Sequence, residues 1–188
     1  MRIIGGKYKH KRFDVPNTFK ARPTTDFAKE SLFNILDNVY VDFDNAPSAL
    51  DLFGGTGSIG LEFVSRGCRK VVSIEKDFRH YQYLKQVARQ LNDPAWIPLH
   101  ADVFKFIQKT SEQYDIIFAD PPYQLDNLGD IPRLVFEAGL LAPDGIFILE
   151  HGKNYSFEDD PHFLEHRNYG SVNLTFFEHH PHKEQASI

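Results

Sequence analysis

The sequence predicts an α/β fold: a mainly parallel sheet covered by helices on both faces and closed at one edge by a C-terminal antiparallel hairpin. Three observations lead there. A length of 188 residues suits one such domain with a sizeable core and is too short for two plus a linker. From about residue 49, short apolar runs alternate strictly with helix-length amphipathic stretches, the pattern of parallel strands joined by crossover helices. Hydrophobic residues at 41%, charged residues at 25% and 17 Phe with 8 Tyr exclude a disordered chain.

Residues 1–23 contain Gly5-Gly6, Pro16 and Pro23 with weak alternation, and predict a short basic hairpin or extended arm ahead of the α/β domain of residues 24–188. Thr24, Thr25 and Asp26 are good helix-start residues. Ala28, Leu32, Ile35 and Leu36 then recur at i, i+4, i+7 and i+8, so a helix is expected over about 25–37. The runs 49–53, 71–74, 96–99, 114–119 and 146–149 read as strands, with helices near 58–66, 77–92, 102–109 and 130–142. Two further runs, 163–168 and 172–177, flank Tyr169-Gly170-Ser171 and predict the closing hairpin. There is no internal repeat and no low-complexity tract.

No apolar run approaches the roughly 18 to 20 residues a membrane span needs, and the first residues lack a signal-peptide core, so the chain is expected to be soluble and cytoplasmic. Cys68 stands alone, which excludes an internal disulfide and a cysteine-based zinc site. The net charge of −5 argues against a protein that coats nucleic acid with its whole surface. That average hides an asymmetry. Residues 1–30 hold Arg2, Lys7, Lys9, Lys11, Arg12, Lys20, Arg22 and Lys29 against Asp14, Asp26 and Glu30, a net +5, which leaves −10 for the remaining 158 residues. Such an arm is either a solvated terminus or a polyanion-binding segment beside an acidic body, and position alone leaves both readings open. In the second reading Arg2, Lys7, Lys9, Lys11, Arg12 and Arg22 supply the cations, and Thr24 opens a helix whose N-terminus favours phosphate.

The first predicted strand runs into Asp51-Leu52-Phe53-Gly54-Gly55-Thr56-Gly57-Ser58-Ile59-Gly60, where Gly55, Gly57 and Gly60 make a G-x-G-x-x-G ahead of a helix. Glycines in such a turn let the backbone bend sharply and approach a ligand with no Cβ in the way. The acids are more telling. Asp51 ends the first strand, Glu75 the second, Asp102 follows the third and Asp120 the fourth, so four carboxylates meet at the edge where open α/β sheets bind ligands. Glu75, 20 residues after Gly55, can accept both hydroxyls of a ribose. With no lysine or arginine among the four, the site suits a cation better than a pyrophosphate. A ligand with a ribose, an amine and a sulfonium fits better than a nicotinamide dinucleotide, and S-adenosylmethionine is such a ligand.

The fourth strand continues into Asp120-Pro121-Pro122-Tyr123. Two prolines fix the backbone and remove two N–H donors, so what faces a ligand there is carbonyl and carboxylate, all acceptors suited to an amino group. Tyr123 adds a flat face on which a base can stack, worth roughly 1 to 3 kcal/mol per base.

Together, the glycine loop and Asp120-Pro121-Pro122-Tyr123 resemble the amino-group methyltransferases that use S-adenosylmethionine. More narrowly, residues 1–6, Ala21-Arg22-Pro23-Thr24 with Lys29-Glu30-Ser31-Leu32-Phe33-Asn34-Ile35-Leu36, Ser65-Arg66-Gly67 and Tyr169-Gly170 are similar to RsmD-type enzymes, which methylate a guanine N2 amine in small-subunit (16S) ribosomal RNA. The resemblance spans nearly the whole chain. It implies a Rossmann-like methyltransferase fold and a monomeric, metal-free enzyme acting on ribosomal RNA within a small-subunit particle. It also implies roles. Asp51, Phe53, Gly54, Gly55, Thr56, Gly57 and Gly60 would surround the methionine part of the cofactor, Glu75 with Lys76 the ribose, and Asp102 with Val103 the adenine. Asp120 and the Pro121 carbonyl, in the turn completed by Pro122, would accept from the guanine amine while Tyr123 stacks on the ring. The amine is a weak nucleophile, and orientation in line with the methyl group can supply several kcal/mol of the roughly 7 to 11 available. Carbon methylation would need a thiol, and Cys68 falls at the wrong edge of the sheet.

The rival readings are three. A DNA adenine-N6 or cytosine-N4 methyltransferase shares the Asp-Pro-Pro-Tyr turn, but only 65 residues follow Tyr123 to hold a recognition segment. A nicotinamide oxidoreductase leaves that turn unexplained. A non-catalytic RNA-binding assembly factor differs from an enzyme by failing to bind cofactor. His151, His162, His166, His179, His180 and His182 read as a solvated tail rather than a metal site, and Trp96 as core.

Overall fold

The structure, a computed structural model, describes residues 1–19 and 24–180. Among these, seven strands form one sheet in the order β3-β2-β1-β4-β5-β7-β6. Strands β1 (Ser48–Asp51), β2 (Lys70–Glu75), β3 (Trp96–His100), β4 (Tyr114–Ala119) and β5 (Leu141–His151) are parallel. The hairpin of β6 (Phe163–Tyr169) and β7 (Val172–Phe177) closes one edge antiparallel to β5, as the sequence predicts. The helices are α1 (Asp26–Ile35), α2 (Ser58–Ser65), α3 (Phe78–Leu91), α4 (Val103–Lys109) and α5 (Ile131–Glu137).

Alternate strand residues feed two cores. Ala49, Val71, Ile116, Phe118 and Ile148 pack with α1, α2 and α3, whereas Leu50, Val72, Ile117, Ala119 and Leu149 pack with α4 and α5. Burial on both faces is why these strands are continuous apolar runs rather than alternating ones. Side-chain caps set three helix starts: Thr25 for α1, Asp77 for α3 and Asp102 for α4. Trp96 is core, 4% exposed. No helix among the described residues is long and apolar enough to cross a membrane.

Two boundaries differ from expectation. The helix expected over 130–142 stops at Glu137, because Gly139 turns the chain at φ +66°. Leu141 then pairs with Tyr114, so β5 starts five residues before the apolar run that announced it. The first helix ends at Ile35 and continues as a π turn, Leu36–Tyr40.

Residues 1–13 form a hairpin bridged at Arg2 and Arg12, with Ile3 and Phe13 buried in the core of α1 and α2. Its turn lies on the end of α2. Lys7 N–H donates to the Ser65 carbonyl at 2.7 Å, and a Cβ on Gly6 (φ +74°) would lie 1.9 Å from that oxygen. Beneath it sits Glu62, wholly buried, accepting from the N–H groups of Ile4 (3.0 Å) and Gly5 (2.7 Å) and from Arg66 Nε (3.2 Å). Lys29, 2% exposed, faces the same carboxylate at 3.4 Å and donates to the Arg2 carbonyl and to Ser58 Oγ. Burial lowers the Lys29 pKa, and Glu62 opposes that shift.

Removing one partner of a buried pair strands the other charge. Glu62→Ala is expected to destabilise the protein by about 3 to 5 kcal/mol in urea unfolding, and Lys29→Met combined with Glu62→Leu by less. An equal loss in the double variant would show that the stranded ammonium is not the source of the cost.

Candidate active site

The strand order reverses at β1, whose neighbours are β2 and β4, and this creates a crevice at the carboxyl edge of the sheet. Asp51 ends β1, Glu75 ends β2, Asp102 caps the helix after β3 and Asp120 follows β4, so the structure brings all four predicted acids to that edge.

Asp51 is 1% exposed. Trp96 Nε1 donates to Ser73 Oγ (3.0 Å), and that hydroxyl reaches Asp51 Oδ2 at 3.5 Å. Asp51 Oδ1 has no hydrogen-bond partner within the protein. Burial, with the nearby Glu75 charge adding to it, pushes the Asp51 carboxyl up to about 7. A buried acceptor left in this state fits a cationic ligand group. Glu75 is held from both sides, Oε2 by Gly55 N–H (2.9 Å) and Oε1 by Asp77 N–H (2.7 Å). Each oxygen keeps a second lone pair for a ribose hydroxyl.

The glycines divide into two roles. A Cβ on Gly57 (φ +81°) would lie 2.8 Å from Leu84 and 2.9 Å from Trp96, and one on Gly60 2.5 Å from Ser73 Oγ. Those two are small so that the loop can seat against Trp96 and α3. At Gly55 (φ +53°) a Cβ would meet nothing nearer than 3.9 Å, so this glycine faces open space. Gly54 donates to the Ile74 carbonyl at 2.7 Å, and Phe53 and Thr56 are half-buried beside it.

The expectation that no lysine or arginine stands among the four acids is corrected at Asp102. Lys76 Nζ lies 3.1 Å from Asp102 Oδ2, while Asp102 Oδ1 caps α4 through the N–H groups of Phe104 and Lys105. Those contacts lower the Asp102 pKa against its desolvation. Val103 is buried in the α4 core.

After β4, Asp120 is half-exposed and Pro121 buried, and Leu125 N–H closes the turn on the Pro122 carbonyl at 2.9 Å. Tyr123 donates its hydroxyl to Glu150 Oε1 at 3.0 Å. Glu150, 8% exposed near the end of β5, is not among the residues the sequence pattern singles out. An acid that follows an apolar run is the same local signal that marks Asp51 and Glu75.

Of the arm cations, Arg2 pairs with Asp26 and Lys7 with Asp93, both at 2.7 Å. Lys9, Lys11 and Arg12 are exposed on the hairpin, Lys11 lying over the Tyr8 ring, and Thr24 is half-buried ahead of α1. Arg22 lies outside the described residues. Of the histidines expected in a solvated tail, His151 and His162 are instead built into the fold. His151 is 1% exposed and bonded to Thr175 Oγ1 (2.7 Å), and His162 stacks on Phe136 at 3.7 Å between centroids. His182 lies outside the described residues, and among those described no three His, Cys, Asp or Glu side chains group as metal ligands.

A parallel sheet with this order, a glycine turn after β1, an acid on β2 gripped by that turn and an acceptor-only turn after β4 define an S-adenosylmethionine-dependent methyltransferase. A family model described as conserved hypothetical protein 95 matches residues 1–178, and the chain belongs to that family. It is 32% identical over 150 residues to the ribosomal RNA small subunit methyltransferase D of Escherichia coli strain K12, covering 80% of this chain and 74% of that one. Its fold matches that of the putative methyltransferase yhhF from Escherichia coli with a TM-score of 0.81 at 28% identity, over 94% and 96% of the two chains. The Thermus thermophilus 16S rRNA N2 G1207 methyltransferase RsmC, solved with AdoMet and guanosine, shares the fold at TM-score 0.65 and 21% identity, over 87% of this chain and 46% of that one.

Because Asp51 has its pKa raised from 3.8 to about 7, its contribution to stability is full below pH 3.8 and is lost as pH rises through about 7. A cationic cofactor reverses the preference. S-adenosylmethionine binding at about pH 6 should therefore release protons, seen as a buffer-dependent heat in calorimetry, and tighten toward about pH 8. Asp51→Asn should abolish the proton release. Wild-type binding without it would mean that the cofactor's positive charge is held away from Asp51.

Proposed function

We propose that this chain transfers a methyl group from S-adenosylmethionine to the exocyclic N2 amine of a guanine in 16S ribosomal RNA, acting as a monomer without metal on RNA held in a small-subunit particle. The observation that carries the reading is the Asp120-Pro121-Pro122-Tyr123 turn, an acceptor-only surface beside a stacking ring next to the cofactor crevice. The cofactor, when bound, supplies an electrophilic methyl group.

The residues then divide the work. Asp51 faces the positive charge of the methionine part, with Gly54, Gly55 and Thr56 forming the turn around it. Glu75 accepts the ribose hydroxyls, pre-aligned by Gly55 and Asp77 N–H. Asp102 Oδ2 takes the adenine amine as Lys76, whose side chain is 77% exposed, swings aside. Asp120 and the Pro121 carbonyl accept the two protons of the guanine amine, which returns electron density to N2 and points its lone pair at the methyl group. Asp120 then stabilises the positive charge developing on N2 and hands the released proton to water.

Bases are hidden in an RNA helix, so the target must be unpaired or extruded while its flanking phosphates are gripped. The arm of residues 1–23 is the basic surface for this, through Lys9, Lys11, Arg12 and Arg22, with Thr24 at the start of α1 and Arg2 and Lys7 shared with Asp26 and Asp93.

Asp120→Ala should lower methyl transfer by roughly 10² or more and leave cofactor affinity nearly unchanged. Near-normal turnover would place the amine elsewhere. Mapping the modified nucleotide by mass spectrometry in cells lacking the gene tests the substrate directly. Deleting the arm would pull Ile3 and Phe13 out of the core, so charge substitutions test it better. With about four phosphate contacts, log RNA affinity should fall with log salt at a slope near −3, and Lys9→Gln, Lys11→Gln and Arg12→Gln together should flatten it by about 2. An unaltered slope would show that these three cations do not touch the RNA.

A further inference from the structure

We propose that the outward stripe of α3, from Phe78 to Arg89, together with His100 at the end of β3, is a second RNA-binding surface that stacks unpaired bases and leads the strand between the basic hairpin and the crevice; this rests on the ribosomal-RNA reading and adds a surface to it.

Phe78 opens α3 three residues after Glu75, and 58% of it is exposed. His100, the last residue of β3, joins it to Tyr81: the imidazole lies 5.5 Å from the Phe78 ring and is stacked 5.2 Å from the Tyr81 ring. His100 Nε2 is 3.0 Å from the Lys76 carbonyl, so the three rings form one patch at the carboxyl edge. Further along α3, Lys85 Nζ lies 5.5 Å from the centre of the Tyr81 ring, and Arg89 follows one turn later. Positions 78, 81, 85 and 89 share one stripe of a helix. The 14 residues of α3 extend about 20 Å. Just past its far end, Asp93 accepts from Lys7 Nζ at 2.7 Å and the Tyr8 hydroxyl at 2.8 Å. Lys11 lies over the ring of that same Tyr8. The hairpin cations therefore stand at the end of α3 away from the crevice, and the stripe spans the distance between them.

Charge follows the same path. Residues 76–109 hold Lys76, Arg79, Lys85, Arg89, Lys105 and Lys109 against Asp77, Asp93 and Asp102, a net +3 inside a body of residues 31–188 that carries −10. Each of the three acids is engaged: Asp77 caps α3, Asp93 takes Lys7, and Asp102 caps α4 and takes Lys76. Helix α3 itself contains no acid.

Rings interleaved with cations suit single-stranded RNA. Every base has a π-face, so stacking is sequence-tolerant, and the cations follow the backbone. The centre of a protein interface is depleted in lysine, which disfavours a protein partner. A second copy meeting the same face would set like charges opposite one another. An RNA duplex keeps its bases stacked within itself and offers nothing to the rings.

The test uses the full chain with an unstructured single-stranded RNA of mixed sequence, and the same RNA annealed to its complement. Phe78→Leu keeps an apolar side chain and loses the ring. It should weaken single-strand binding by about fivefold or more and leave duplex binding unchanged, while Phe78→Trp retains wild-type affinity. Lys85→Gln with Arg89→Gln should flatten the salt dependence on single strands by about 1.4 in log–log slope. S-adenosylmethionine affinity should be unchanged throughout. Single-strand affinity unaltered in both the Phe78→Leu and the Lys85→Gln/Arg89→Gln proteins would overturn the inference while RNA binding by the wild type stands. Loss of S-adenosylmethionine affinity alone in Phe78→Leu would assign the ring to the cofactor pocket, and a wild-type dimer in sedimentation that Phe78→Leu disperses would assign the face to a second copy; either result overturns the inference. Absence of RNA binding by the wild type would overturn the reading on which it rests.

Discussion

Glu62 holds its carboxylate where none of its surface meets water, and such a charge persists only when donors surround it. Its donors come from three parts of the chain: the N–H groups of Ile4 and Gly5 in the hairpin, Lys29 in α1, and Arg66 at the end of its own helix. The hairpin is thereby welded to α2. Lys29 also reaches Ser58, the first residue of α2 and the next after Gly57, so the cluster that seats the hairpin also fixes the exit of the glycine turn. The segment read as RNA-binding and the loop read as cofactor-binding share one buried ion pair.

The crevice is built on a second relay. Trp96, core by every measure, holds Ser73, which leans on Asp51, while the same indole fills the space that side chains on Gly57 and Gly60 would need. Packing and electrostatics are therefore one constraint here. The loop seats because it lacks Cβ atoms, and once seated it points Gly55 N–H at Glu75 and leaves Asp51 Oδ1 without a partner. A buried carboxylate raised to about 7 has a low cost as a neutral acid and is ready to ionise when a cation arrives. At the far end of the crevice the acid is treated differently, with Lys76 and two backbone N–H groups holding Asp102 anionic without a ligand.

The charge asymmetry along the chain survives in space with a refinement. Two of the arm cations are already paired with carboxylates, and the exposed ones, Lys9, Lys11 and Arg12, cluster on the hairpin. The hairpin projects them because its apolar residues, Ile3 and Phe13, are buried beneath. A segment that looks like a detachable basic arm from its composition is anchored by two side chains and by the donors Glu62 requires.

Periodicity, glycine placement and strand-end acids were legible because each is a local rule. Alternating apolar runs and amphipathic stretches produce a parallel sheet, Asp51, Glu75 and Asp120 mark strand ends, and Asp77 and Asp102 cap the helices that follow. The tertiary structure decided what depends on neighbours distant along the chain. Gly139 ended α5 at Glu137, and pairing with Tyr114 then started β5 at Leu141, ahead of its apolar run. Only packing could show that Gly57 and Gly60 are small for the sake of Trp96, that Lys76 pairs with Asp102, and that Glu150 takes the Tyr123 hydroxyl. A sequence states which groups a chain owns, whereas burial and the partner across a strand or loop set their charge and hydrogen bonds, and those are properties of the folded arrangement.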